Sequence, residues 1–228
     1  MKGPGRRRRW WRWTLAGVVV LVVIVVGGAA IFVKSQPSAA PLTLPSGPAR
    51  PPAGPAGGTW DVTASSVAGF RIRESALGFG NDVTGRTSAV TGTAVLAGGR
   101  VTSAAFRIGL AAITVGGKPS PQFAASLDTA AHPDATITLT GPVSLPAGFG
   151  AGRTVTALFP GRLTLRGVTR PVTVTLSARR DGTTVEAAGS VPVATARWAI
   201  TRPAGFGFLG GLSSEATAEF LLILHRRQ

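Results

Sequence analysis

Beyond residue 60, apolar residues recur at every second position along most of the chain, and this alternation limits the fold more than any other feature. Phe70 and Ile72 alternate with Arg71 and Arg73. Phe106, Ile108 and Leu110 alternate with Arg107 and Gly109, and Leu163 and Leu165 with Arg162, Thr164 and Arg166. Val172, Val174 and Leu176 alternate with Thr173 and Thr175. A period of two puts one set of side chains on one face of a strand and the other set on the opposite face. Turn signals separate these runs: Gly98 with Gly99, Gly116 with Gly117, Gly141 with Pro142, Arg166 with Gly167, and Asp181 with Gly182. The Asp-Gly pair predicts a hairpin, because a two-residue turn needs positive φ. About nine strands are expected, and only 120–128, with Phe123 and Leu127 one turn apart, reads as a short helix. No strand–helix–strand alternation occurs, so the expectation is an all-β antiparallel domain, either a barrel or a sandwich.

The chain has no cysteine, so its fold rests on the core alone. Residues 15–33 form an uncharged, almost wholly apolar run preceded by Arg6, Arg7, Arg8, Arg9 and Arg12. A helix of that length spans ~28 Å, close to the hydrocarbon thickness of a bilayer. The arginines predict a cytoplasmic N-terminus, with Trp10, Trp11 and Trp13 at the interface and everything after Val33 outside. A cleaved signal peptide is the competing reading, but its apolar stretch is usually shorter. Residues 34–58 are rich in Pro, Ala, Gly and Ser and read as a partly extended tether. The expected organisation is a basic cytoplasmic segment over 1–14, a transmembrane helix over 15–33, a linker over 34–58 and a β-domain over 59–228. Of the formal charge of +15, residues 1–58 carry eight bases and no acid, and residues 59–228 sixteen bases and nine acids. The outer domain is therefore also basic, which favours anionic lipid head groups or acidic polymers.

Signals for chemistry are weak. Two histidines, His132 and His225, and no cysteine leave little for a metal site. No nucleophile elbow is present, and no spacing favours a triad. Gly205, Gly207 and Gly210 match a dinucleotide-binding spacing, but Pro203 stands where a strand should precede and no helix pattern follows. That stretch, with Phe206, Phe208 and Leu209, reads as an apolar loop able to cover a barrel mouth or dip into a membrane. Trp60 and Trp198 are isolated and tyrosine is absent, so no stacking platform for nucleic acid is visible. Neither an enzyme nor a metal site is expected.

Several segments resemble one family. The opening Trp60-Asp61-Val62-Thr63-Ala64-Ser65-Ser66-Val67-Ala68-Gly69-Phe70-Arg71-Ile72 is similar to the first strands of YceI-like domains, as are Val83-Thr84-Gly85-Arg86 and Val90-Thr91-Gly92. The stretch from Leu127-Asp128-Thr129 to His132-Pro133-Asp134-Ala135-Thr136-Ile137 resembles the family's acidic turn before a strand. The most specific likeness is Gly161-Arg162-Leu163-Thr164-Leu165-Arg166-Gly167-Val168-Thr169-Arg170-Pro171-Val172-Thr173-Val174. The sequence departs from the pattern at Ala64-Ser65-Ser66, where the family often carries His-Ser, and at Lys118-Pro119-Ser120-Pro121, where an Arg-Asp pair is common.

The resemblance implies an eight-stranded, lipocalin-like barrel around an apolar tunnel that holds an amphipathic polyisoprenoid of quinone or prenyl-lipid type, with dimers common. The residues expected to face the lumen and touch such a ligand are Phe70, Ile72, Phe106, Ile108, Leu110, Leu163, Leu165, Val172 and Val174. The expected partners are membrane lipid, the isoprenoid and possible second copies of the chain, not nucleic acid. The alternative is a ligand-free structural or adhesion module on a tether, its lumen filled by side chains.

Overall fold

The structure, a computed structural model, describes residues 38–76, 79–202 and 210–228. The expected membrane span and most of the glycine-rich stretch near residue 205 lie outside these. No helix among the described residues is long and apolar enough to cross a membrane.

The sheet closes on itself as eight antiparallel runs, two of which are bent. The first run consists of β1 (Gly58–Val62) and β2 (Val67–Ala76). The second consists of β3 (Phe79–Thr87), which returns along β2, and β4 (Val90–Ala97), which returns along β1. β5 (Arg100–Gly109) pairs with β4. A short hairpin, β6 (Thr114–Val115) and β7 (Lys118–Pro119), pairs with β3, and the helix α1 (Pro121–Leu127) follows it. The sheet continues from β5 to β8 (Asp134–Leu139), with the two-residue β9 (Val143–Ser144) also against β5. It then runs through β10 (Val155–Leu165), β11 (Val168–Asp181), β12 (Thr184–Ala194) and β13 (Gly210–Arg226). β13 pairs with β12 on one edge and with both β1 and β2 on the other, which completes the barrel.

Local chemistry explains the bends and turns. Between β1 and β2 the ladder to β13 is interrupted, and Ser66 mends it. Its hydroxyl accepts from the Ile223 N–H at 2.9 Å and donates to the Ile223 carbonyl at 3.3 Å. The pairs Gly98/Gly99 and Gly116/Gly117 and the pair Arg166/Gly167 all have positive φ, as two-residue hairpin turns demand. At the expected Asp-Gly hairpin the strand runs one residue further: Asp181 still pairs with Thr184, and Gly182 (φ 58°) and Thr183 make the turn. The helix begins with Pro121 at its first position and ends at Asp128 in the left-handed region, as the sequence pattern indicates.

The barrel has two unlike ends. The hairpins β4–β5 and β11–β12 and the connection β8–β10 lie at one, together with the start of β1 and the end of β13; we call it the closed end. The connections leaving β2, β5, β10 and β12, including α1, lie at the other, the mouth.

Residues 38–57, expected as a free tether, instead lie along the barrel wall as a strap. Arg71 donates to the Ser38 hydroxyl at 3.2 Å and the Ala39 carbonyl at 2.6 Å, and Arg86 donates to the Ala40 carbonyl at 3.2 Å. The Leu42 N–H reaches Glu219 at 3.2 Å. Arg179, in a buried ion pair with Glu186 at 2.7 Å, gives its other N–H groups to the Pro45 and Gly47 carbonyls. Arg50 forms a two-pronged pair with Asp181, both contacts at 3.0 Å. Arg180 donates to the Ala53 and Gly54 carbonyls. Composition suggested an unfolded linker because the segment has almost no apolar side chains to bury. What holds it is different: barrel arginines that use its carbonyls as acceptors, with Leu42 and Leu44 half-buried between.

Candidate functional site

The lumen is hollow. Its apolar wall is built from inward positions of every long run, and the space open to the centres of water-sized molecules is about 250 Å³. The polar residues at its boundary are Ser126, Thr138, Thr195, Arg202 and Glu219.

The hollow exists because of where the small residues fall. On the wall, Ala94 stands opposite Ala104 across β4–β5, and Gly161 lies on the inward face of β10. Ala68, Ala135, Ala187, Ala216 and Ala218 occupy further inward positions. Each takes a place where a leucine or phenylalanine would fill the centre. The closed end is plugged. Trp60 is 1% exposed, with its indole N–H on the Ala56 carbonyl at 3.0 Å. Phe149, Leu96, Val185 and Leu224 pack around it as buried core. Arg180 seals the same end by donating to the Gly150 carbonyl as well as to the strap.

Near the mouth, the Phe70 ring meets Phe123 of α1 at 5.0 Å between centroids. Gly85 makes this contact possible, since a Cβ there would come within 2.3 Å of the Phe70 ring. Arg202 stands at the rim, held by a 2.6 Å hydrogen bond to the Leu212 carbonyl, and Thr195 donates to the Ser214 carbonyl beside it. On the outer face of β2, β3 and β13, Glu219 receives Arg86 at 2.5 Å and Arg71 at 3.4 Å.

Of the nine positions expected at the lumen, Phe70, Ile72, Phe106, Ile108, Leu110, Leu163, Leu165 and Val174 line the hollow. Val172 does not: it stands opposite Gly161 and packs against the core without reaching the cavity. The alternation places Val172 on the correct face, but facing inward and reaching the open space are different properties. The sequence reading missed the alanines and glycines that make the room, and Thr195 and Arg202 at the rim. The signal for the former was present as alanine at inward positions of alternating runs. No pattern marked the latter, because they lie after the end of β12. His132 packs beside Gly167 at the mouth and His225 lies near the closed-end terminus of β13 in a ladder with Asp61 and Thr184, so the two histidines are far apart. No group of three or more potential metal ligands occurs among the described residues.

A closed eight-stranded antiparallel barrel, an apolar lumen and one short helix at the mouth agree with the YceI-like domain family, which matches residues 60–220. The chain belongs to that family. Among solved structures, this YceI-like chain is similar to one described as a polyisoprenoid binding domain from Saccharophagus degradans implicated in plant cell wall breakdown. The likeness has 18% identity and a TM-score of 0.56 and covers 75% of this chain and 99% of that one. It is also similar to BcnA of Burkholderia cenocepacia, with 18% identity and a TM-score of 0.51, over 71% of this chain and 98% of that one. At this identity the likenesses speak to the fold. No curated protein matches the chain.

Proposed function

We propose that the protein is a membrane-anchored, extracytoplasmic binding protein that holds one amphipathic isoprenoid lipid, of quinone or prenyl type, in its barrel and sequesters or transfers it. The observation that carries this reading is the hollow itself: an apolar space running from Trp60 to the rim at Thr195 and Arg202. On the neighbouring β13 the partners of Trp60 and Ile72, Arg226 and Ala216, stand ten residues apart, which corresponds to roughly 25 Å along a tilted barrel axis. A branched hydrocarbon chain needs such a channel and no directional contacts. Burying it yields ~25 cal/mol per Å² of apolar surface. Arg202 and Thr195 supply the few polar groups that would orient a head group at the rim. The polyisoprenoid binding named for the Saccharophagus degradans domain supports the same ligand class. Nothing in this reading requires a bond to be broken.

The test is to extract the purified full chain with organic solvent and identify what it carried. The expected result is an isoprenoid lipid in near-equimolar amount. An extract without lipid, or with only the phospholipid of the surrounding membrane, contradicts the proposal and leaves the ligand-free module. Ile108→Arg, which puts a cation on the cavity wall, is expected to abolish the copurified lipid while the domain stays folded by circular dichroism.

A further inference from the structure

The strap runs in one direction, and that direction orients the barrel. Its contacts descend in order: Ser38 at Arg71, Ala40 at Arg86, Leu42 at Glu219, Gly47 at Arg179, Arg50 at Asp181, and Ala53 at Gly182 on the closed-end hairpin. The described strap therefore begins on the mouth side and runs toward the closed end. Four residues, 34–37, separate Ser38 from the apolar run 15–33, and they span at most ~14 Å. Ser38 sits at the level of Arg71, five residues before the end of β2. That is ~13 Å from the mouth along a tilted axis. The opposite end of the same run, at Gly58, is about eleven strand residues away by its ladder with β13, ~28 Å along the same axis.

We propose that the strap docks the barrel mouth-down on an anionic lipid bilayer. This rests on the membrane-anchored reading above and adds the surface that meets the lipid. The mouth suits such a partner. Lys118, Arg170, Arg197 and Arg202 are exposed there and none forms an ion pair among the described residues. Arg166 sits near Asp128 at 3.9 Å, and Arg73 faces Asp82 at 3.6 Å. Cations near a membrane of negative surface potential are each worth ~1 kcal/mol within a Debye length. The closed end also carries unpaired cations, at Arg100, Arg153 and Arg226, so charge attracts either end and the short tether decides between them. Mouth-down docking lets a hydrocarbon chain pass between bilayer and barrel without crossing water.

The chain has no native cysteine, so single cysteines report single places. Ala131→Cys marks the mouth and Thr183→Cys the closed end; both positions are exposed. Each full-length variant, carrying an environment-sensitive fluorophore, is placed in vesicles of phosphatidylcholine and phosphatidylglycerol that contain a lipid with a nitroxide near its head group. The expected result is quenching at least twofold stronger at residue 131 than at residue 183. Inserting about twenty Gly and Ser residues between Pro37 and Ser38 is expected to shrink that difference. Equal or reversed quenching, or a difference indifferent to the insertion, overturns the orientation while leaving the anchor and the bound lipid untouched. Release of the protein by alkaline carbonate overturns the anchor and the orientation together.

Discussion

At the closed end of the barrel the inward positions carry Trp60, Leu96, Phe149 and Leu224, all buried, with the indole N–H and the Arg180 guanidinium given protein carbonyls. Half-way up and toward the mouth, the same inward faces carry Ala218 and Gly161 between large residues such as Phe106 and Ile108, which are only half-buried. The two regions share strands, alternation and closure. They differ in how far the inward side chains fill the space between the walls. Where Trp60, Phe149 and Leu224 project inward the side chains meet and form a core; toward the mouth the large ones face one another across open space. A lumen can thus be stopped at one end and open at the other with no change of fold.

The largest effect expected from this contrast is on stability. Trp60→Ala should cost ~3–5 kcal/mol, since it deletes a large buried side chain of the core. Phe106→Ala should cost less than half of that, because one face of the ring already lacks partners. Urea unfolding of both variants checks it, and equal losses would break the distinction between plug and hollow. A second loss is expected outside the barrel. Glu219→Ala leaves Arg86 without its carboxylate and removes the acceptor for Leu42, at a cost of ~3 kcal/mol. Hydrogen exchange at the Ala39 and Leu42 amides should accelerate at least tenfold. Unchanged exchange there would mean that the strap does not depend on this carboxylate.

A smaller stability effect with a large functional one is expected for Ala104→Phe. Overpacking a filled core costs ~1–3 kcal/mol. At Ala104, opposite Ala94, the ring enters free space, so stability should change by less than ~1 kcal/mol while copurified lipid falls at least tenfold. A strongly destabilised variant would show that the space is not available. The smallest effect is at the strap. The Arg50 side chain, and then its backbone N–H, hold the Asp181 carboxyl below the usual carboxylate range. A carboxyl lowered in the folded state contributes stability above its unfolded value, and that contribution is lost as pH falls through the folded value. The stability gap between the wild type and Asp181→Asn should therefore be present at pH 7 and close below pH ~4. A gap that persists in acid would contradict the pairing.

Much of the architecture was readable because alternation is a local property. Leu163 and Leu165 announce a strand wherever it pairs, and Phe123 with Leu127 announces a helix. The strap was not readable for the opposite reason. Nothing in the prolines and alanines of 38–57 marks them for docking; the signal lies in Arg71, Arg86 and Arg179, distant in sequence and turned to the outer face. Val172 was misjudged because periodicity gives a face and not a depth. The hollow was half legible: the large residues on its wall stood out, while the alanines that make it a hollow look unremarkable one at a time and matter only once the strands are in register.

The central claim is that the lumen accommodates a foreign hydrocarbon chain. Native mass spectrometry of the full chain, released from detergent under gentle activation, tests it most directly. The account expects a mass increment of one lipid per polypeptide that is absent from Ala104→Phe. A wild-type spectrum of bare polypeptide, or the same increment in both proteins, would contradict it.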